Sequence, residues 1–277
     1  MSLTLTPLQV TDCDREPIHA PGSIQPHGMM LVADRSDLRV RHVAGDVERH
    51  LGGADWLGKP LSAILGETLM SEVAVMRPEH GADGFIGQLA TPGGEMLDVT
   101  AHSTSSHLVV ELEAASTEGL SASMVINRLA TAAAGFERAA SLPALCDRAA
   151  IEFRRLTGFD RVMIYHLLDE TAGKVLAEDR RDDMRAFANH HFPASDIPAQ
   201  ARALYLRNVV RVIPDATYQP VLLRPTWPGG DDLDMSDCHL RSVSPVHLVY
   251  LQNMGVVASA SFSIVKDGLL LGTCRLS

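Results

Sequence analysis

No apolar run in the 277 residues approaches the roughly 20 that a membrane-crossing helix requires, which excludes a helical membrane span. Met1 to Val10 lacks the basic flank and cleavage site of a secretory signal. The four cysteines, Cys13, Cys146, Cys238 and Cys274, lie far apart with no Cys-x-x-Cys pair, which argues against a disulfide framework and for a reducing, cytoplasmic compartment. Basic residues are outnumbered, 24 Lys and Arg against 34 Asp and Glu for a net charge of −10. That balance excludes a sequence-independent grip on nucleic acid or anionic lipid. Internal repeats and low-complexity tracts are absent as well. What is present is 46% hydrophobic residues with 21 Gly and 15 Pro dispersed among periodic segments, the composition of one large or two ordinary globular domains.

The first hundred or so residues alternate short β-like runs with turns: Met30 to Ala33, Leu38 to Val43, and Leu108 to Leu112, with a helical stretch from Leu61 to Met70 between them. This pattern suits a small α+β sensor module. A linker is expected near Ala115 to Leu120. From Ser123 to Arg154 the apolar residues fall at helical spacing, and Ser141-Leu142-Pro143, an N-cap followed by a first-turn proline, divides the stretch into two helices. β character returns at Arg161 to Leu167 and Lys174 to Glu178, followed by a helix over Pro198 to Leu206, a strand over Val209 to Ile213 and a helix over Pro245 to Met254. Pro214 to Asp237 has no helical period and reads as a long functional loop. Ala258 to Ile264 alternates with period 2 and runs into Lys266-Asp267-Gly268, a hairpin signal.

Four constellations could carry chemistry. In the alternating strand, Ser259, Ser261 and Ser263 share one face and Phe262 and Ile264 the other. That polar face points either to solvent or into a hydroxyl-lined pocket for a ligand rich in acceptors. Arg241 precedes a helix whose start, Ser244-Pro245, sets His247 and Tyr250 three residues apart on one side, near free backbone N–H groups that favour an anion; a capped surface helix is the plainer alternative. In His190-His191-Phe192-Pro193-Ala194-Ser195-Asp196-Ile197-Pro198, the prolines hold Asp196 in a rigid turn ahead of Tyr205. The paired histidines have no further Cys or His at ligand spacing, so no metal site is expected there. Cys13 lies between Asp12 and Asp14, which disfavour its thiolate.

Asp12 to His19 followed by Gly22-Ser23-Ile24-Gln25-Pro26-His27-Gly28 resembles the N-terminal signature of the bacterial phytochromes. Pro193 to Pro198 is similar to their chromophore-pocket motif, and Leu240 to Leu248 resembles the helix that packs on the bilin. The resemblance covers essentially the whole chain. It implies an α+β fold of two antiparallel-sheet sensor domains joined by a helical linker: an attachment segment over 1–27, a PAS domain over 28–118 and a GAF domain over 119–277. It further implies a figure-of-eight knot in which Ile24 sits inside a lasso formed by Pro214 to Arg241 or part of it.

The implied cofactor is biliverdin, a linear tetrapyrrole joined to Cys13 by a thioether. By the same resemblance the Asp196 carbonyl accepts from pyrrole N–H groups and His247 bonds the pyrrole water. Arg211, Arg241, Tyr205, Ser244, Ser259 and Ser261 match propionate-binding positions. Met163, Tyr165, Phe192, Ile197 and Tyr250, with Pro198 beside them, match the packing around the ring that isomerises. The implied partners are a second copy, through GAF helices, and downstream PHY and histidine-kinase domains. Leu271 stands where the family has a tryptophan, and Ser277 where it has the first of two histidines. The final GAF helix is missing, so a truncated chain is expected; without that histidine at Ser277 and a PHY arginine to meet Asp196, it is expected to photoconvert incompletely.

The function implied is red/far-red photosensing without enzymatic activity beyond self-attachment of the bilin. Two other readings stand beside it. One is a PAS–GAF sensor of a different small ligand. The other is a thiol hydrolase using Cys13 with His19 or His27, against which stand the flanking acids and the lack of an oxyanion-hole motif.

Overall fold

A computed structural model of the chain describes residues 16–75, 84–116, 121–168, 172–193, 197–227 and 232–277. In chain order the elements begin with β1 (Ser23–Ile24), β2 (Gly28–Asp34), β3 (Val40–Ala44), α1 (Val47–Leu51), α2 (Ser62–Val75), β4 (Phe85–Ala90), β5 (Met96–Ser103) and β6 (His107–Ala114). Then come α3 (Ala122–Glu137), α4 (Leu142–Thr157), β7 (Arg161–Leu167), β8 (Ala172–Arg180), β9 (His191–Pro193), α5 (Ala199–Arg207), β10 (Val210–Ile213) and β11 (Val221–Leu222). The last are α6 (Pro245–Asn253), β12 (Ser259–Lys266) and β13 (Leu269–Leu276). Among the described residues no helix is long and apolar enough to cross a membrane. The chain divides into two compact units, Arg15–Ser116 with Thr217–Leu248, and Thr117–Ala216 with Val249–Ser277.

The unit that starts at Arg15 is built on a five-stranded antiparallel sheet of order β3-β2-β6-β5-β4. Its central strands are apolar almost without interruption, because both faces are covered. Met29, Leu31, Ala33, Leu108, Val110 and Leu112 meet Val47, Leu51, Trp56, Leu61, Leu65 and Leu69 on one side. Met30, Val32, Ala44 and Val109 meet Leu223, Leu233, Met235, Cys238 and Leu240 on the other. The stretch after Thr217 therefore closes the second face. Gly28 is needed for this closure, since a Cβ there would lie 2.6 Å from the Leu240 side chain. β1 pairs with β11, Ser23 opposite Leu222 and Ile24 opposite Val221. Ile24 also bridges to Arg241 and is fully buried.

The other unit is built on a six-stranded antiparallel sheet of order β10-β12-β13-β7-β8-β9. α4 begins as expected at Ser141, whose hydroxyl accepts from the Ala144 N–H at 3.3 Å, and ends on Gly158 in the left-handed conformation. It lays Cys146 and Ala150 against Val162, Ile164, Ala177, Ala260, Cys274 and Leu276 on one sheet face. Asp267 (φ 53°) and Gly268 (φ 75°) form the β12–β13 turn, the two left-handed residues of a type I′ hairpin.

Candidate functional site

Because side chains alternate along a strand and directly opposed residues share a face, the register fixes what the second face of the six-stranded sheet presents. Arg211 lies opposite Ser261, and Ile213 opposite Ser259. Ser261 lies opposite Arg275, and Ser263 opposite Thr273. Arg275 and Thr273 are in turn paired with Met163 and Tyr165. Beyond a bulge Tyr165 pairs with Val175, Leu167 with Gly173, and Gly173 with Phe192. One face thus carries a polar end of Arg211, Ser259, Ser261, Ser263, Thr273 and Arg275, and an aromatic end of Met163, Tyr165 and Phe192. Ser261 is only 9% exposed, and Ser263 Oγ donates to the Tyr205 carbonyl on α5 at 2.7 Å. The serine stripe is a covered wall rather than a solvent face.

The aromatic end is a packed cluster. Tyr165, Val175 and Ile197 are buried in it, with Met163, Phe187, Phe192 and Tyr205 against them. Tyr165 and Phe192 have ring centroids 6.2 Å apart, Phe187 and Phe192 6.1 Å. Gly173 makes room for Tyr165, since a Cβ there would come within 2.1 Å of the phenol oxygen. A buried ion pair, Arg161 Nε to Glu178 Oε1 at 3.0 Å, stands behind the cluster. Glu178 Oε2 accepts from the Phe187 and Ala188 N–H groups at 2.7 and 3.0 Å, and the Arg161 guanidinium lies 4.5 Å from the Phe187 ring centroid. Burial lowers the Arg161 pKa, opposed by the Glu178 charge. Pro198 precedes α5, its carbonyl accepting from Arg202 N–H at 3.0 Å while Arg202 Nε donates to the Ile197 carbonyl at 2.9 Å.

In the unit that starts at Arg15, Arg241 is 7% exposed and donates through Nη1 to the Ile18 carbonyl at 3.0 Å. The Ser244 carbonyl accepts from Leu248 N–H, so α6 starts where expected. Its hydroxyl, however, donates to Glu16 at 2.5 Å. Ser244 thus begins the helix through its backbone while its side chain holds the N-terminal segment. His247 is half-buried on the first turn of α6. Tyr250 is half-buried in the other unit, its carbonyl accepting from Met254 N–H at 3.1 Å. Cys13 and Asp196 lie outside the described residues.

Two residues of the polar face, Thr273 and Arg275, were not anticipated from the sequence. Arg275 is half-buried, its guanidinium carbon 5.1 Å from the Tyr165 ring centroid, and its Nε donates to Thr273 Oγ1 at 3.2 Å. The signal for it is the alternation of Thr273 and Arg275 against Cys274 and Leu276, which places a second guanidinium on the face that carries Arg211. Chemically the face offers two cations and several hydroxyls for anionic groups at one end, and flat apolar surface at the other. That combination fits a long amphiphilic ligand with carboxylates.

A family profile described as the PAS fold matches residues 13–115, and one described as the GAF domain matches residues 141–276. The chain is 40% identical over 285 residues to a bacteriophytochrome of Xanthomonas campestris, covering 98% of this chain and 44% of that protein. It is 38% identical to a bacteriophytochrome of Pseudomonas aeruginosa, covering 97% of this chain and 37% of that one. It therefore spans less than half the length of these curated relatives. Among solved structures, the chromophore-binding domain of a bacteriophytochrome from R. palustris superposes with a TM-score of 0.84 at 39% identity, covering 95% of this chain and 88% of that one. The wild-type chromophore-binding domain of Stigmatella aurantiaca phytochrome P1 gives 0.83 at 39% identity, covering 95% and 89%.

Proposed function

The chain belongs to the phytochrome family, and from that premise we propose that it is a photosensory module absorbing red and far-red light through covalently held biliverdin. The observation that carries this reading is the second face of the six-stranded sheet, where the strand register gathers Arg211, Ser259, Ser261, Met163, Tyr165 and Phe192. When bound, the bilin supplies the visible absorption and the photochemistry. The protein's residues hold and orient it. Arg211 binds a propionate by a charge-assisted contact, with Tyr205, Ser259 and Ser261 as further donors and Arg275 as a second cation. Met163, Tyr165, Phe192, Ile197, Pro198 and Tyr250 pack the ring that turns. The family resemblance adds Arg241, Ser244, His247 and Asp196 as ligand contacts.

Cys13 is the attachment residue in this reading. The cysteines among the described residues are Cys146, Cys238 and Cys274, all buried. Burial pushes the Cys274 thiol up to about 12 and raises that of Cys146, whereas attack on a ligand requires thiolate. Addition of the Cys13 thiol across a carbon–carbon double bond of the bilin would form one S–C bond and carry the sulfur's proton to the neighbouring carbon. Nothing is oxidised and nothing leaves. The pairing of Ile24 with Val221 and its bridge to Arg241 support the lasso expected around that residue. An attachment segment over 1–27, a PAS domain over 28–118 and a GAF domain over 119–277 follow as the proposed division. Downstream PHY and kinase domains and a second copy of the chain are the proposed partners, and the module itself is read as a sensor rather than an enzyme.

The test is to add biliverdin to the purified chain, record the visible spectrum, and follow zinc-enhanced fluorescence on a denaturing gel. A red absorption band with a covalent label in the wild type, and no label in Cys13→Ser, is the expected result. No red band sinks the bilin reading. A label persisting in Cys13→Ser moves the attachment to another cysteine.

A further inference from the structure

On the second face of the five-stranded sheet, among apolar side chains, three metal-ligating residues come together. His102 on β5 and Glu111 on β6 share that face, since Val109 lies opposite His102 and Thr100 opposite Glu111. Cys238 approaches them from the covering stretch, in a turn closed by its N–H donating to the Met235 carbonyl at 2.9 Å. Cys238 Sγ lies 3.4 Å from His102 Nε2, and one ligand atom from each of the three falls within 4.8 Å of the others. Glu111 is 1% exposed and Cys238 0%, while His102 is half-buried and gives the cluster a path to solvent.

We propose that His102, Glu111 and Cys238 form a site for a divalent transition metal, zinc in preference to others, which fastens the Thr217–Leu248 stretch to β5 and β6. The inference is independent of the bilin reading. One nitrogen, one oxygen and one sulfur donor suit zinc and not calcium or magnesium, which take oxygen ligands. Three protein ligands leave a fourth position for water. A thiolate, a carboxylate and a neutral imidazole carry two negative charges, so a doubly charged cation makes the loaded site neutral, as a buried site requires. Zinc bonds of about 2.0–2.3 Å on a tetrahedron put ligand atoms roughly 3.3–3.7 Å apart. His102 and Cys238 already stand at that separation, and the widest pair closes by about an ångström. The Glu111 carboxylate is aimed from behind: its oxygens accept from the His239 and Leu240 N–H groups at 3.0 and 2.6 Å. A carboxylate oxygen retains a second lone pair for a metal, and such backing contacts orient ligands. Cys238 would lose its thiol proton to solvent on binding, with no change of redox state.

Cobalt(II) titrated into the bilin-free full chain reads the site directly. The expected result is one equivalent of bound cobalt with a thiolate-to-cobalt band in the near ultraviolet, displaced by zinc. That band disappears in Cys238→Ser, survives in Cys13→Ser, and needs at least ten-fold more cobalt in His102→Gln. Zinc should also raise the Tm of the wild type and not that of Cys238→Ser. Should Cys238→Ser fail to fold, the half-exposed His102→Gln carries the same readout. No band at stoichiometric cobalt, or a band that survives both substitutions, overturns the proposal and leaves Glu111 as a hydrogen-bonded tether only.

Discussion

The two sheets are filled in opposite ways. The five-stranded sheet is sealed on both faces, by α1, α2 and their flanking loops on one side and by the covering stretch Leu223 to Leu240 on the other. The six-stranded sheet is sealed on one face by α4, and on the other it carries arginines and hydroxyls beside an aromatic cluster. An apolar sheet face with no cover is costly in water, and a mixed face such as this one is stable only while its polar groups find partners. The sealed sheet is packed throughout on apolar side chains, and the mixed polar and aromatic face of the other is the bilin face proposed above.

Damage to each sheet in turn should have different consequences. Leu31→Ala removes a fully buried side chain from the sealed sheet, and truncations of this kind cost about 2–5 kcal/mol. Its Tm should fall sharply while biliverdin affinity, measured well below that Tm, stays near the wild-type value. A large loss of affinity with an unchanged Tm would erase the distinction between scaffold and ligand face.

The converse substitution is Arg211→Ala on the mixed face. A charge-assisted hydrogen bond contributes roughly 1.5–3 kcal/mol, so non-covalent binding should weaken about ten-fold or more, read in a Cys13→Ser background that cannot hide affinity behind the thioether. Arg275→Ala should weaken it less, because its guanidinium already lies over Tyr165, and should shift the absorption maximum of the bound pigment. If both variants bind as the wild type does, the polar end of the face is not the carboxylate site.

Elements with a strong local signal were legible in the sequence. Ser141 caps α4, Asp267-Gly268 turns β12 into β13, and the β12 serines fall on one face. β4 escaped because Gly87, at φ 138°, sits in a bulge that breaks its alternation. β1, with 2 residues, and β9, with 3, are defined by their partners alone. Of the candidate site, the serines and Arg211 were legible as strand residues. Arg275 was not, because its meaning depends on which strands flank β13. The His102–Glu111–Cys238 cluster was invisible for the same reason: His102 and Cys238 are 136 residues apart, and no local spacing announces them.

In the sealed sheet a weak pH effect is expected at His107, the first residue of β6. Its ring packs edge-on to Trp227 with centroids 5.1 Å apart. Burial lowers its pKa, partly offset by the nearby Asp34 charge and reinforced by His42. The native ring then holds its proton less readily than the unfolded chain does. Below the ordinary imidazole value of about 6.5, and down to the lowered native value, the unfolded state binds more protons, so stability rises with pH across that window. The contribution is present in full above the window and is lost as pH falls through it. Since the ring is only partly buried, solvent screening keeps the effect below about 1 kcal/mol. Urea unfolding at pH 7.5 and pH 5.5 should show the wild type losing slightly more stability on acidification than His107→Gln does. Equal losses in the two chains would mean that the ring titrates in the folded sheet as it does in water.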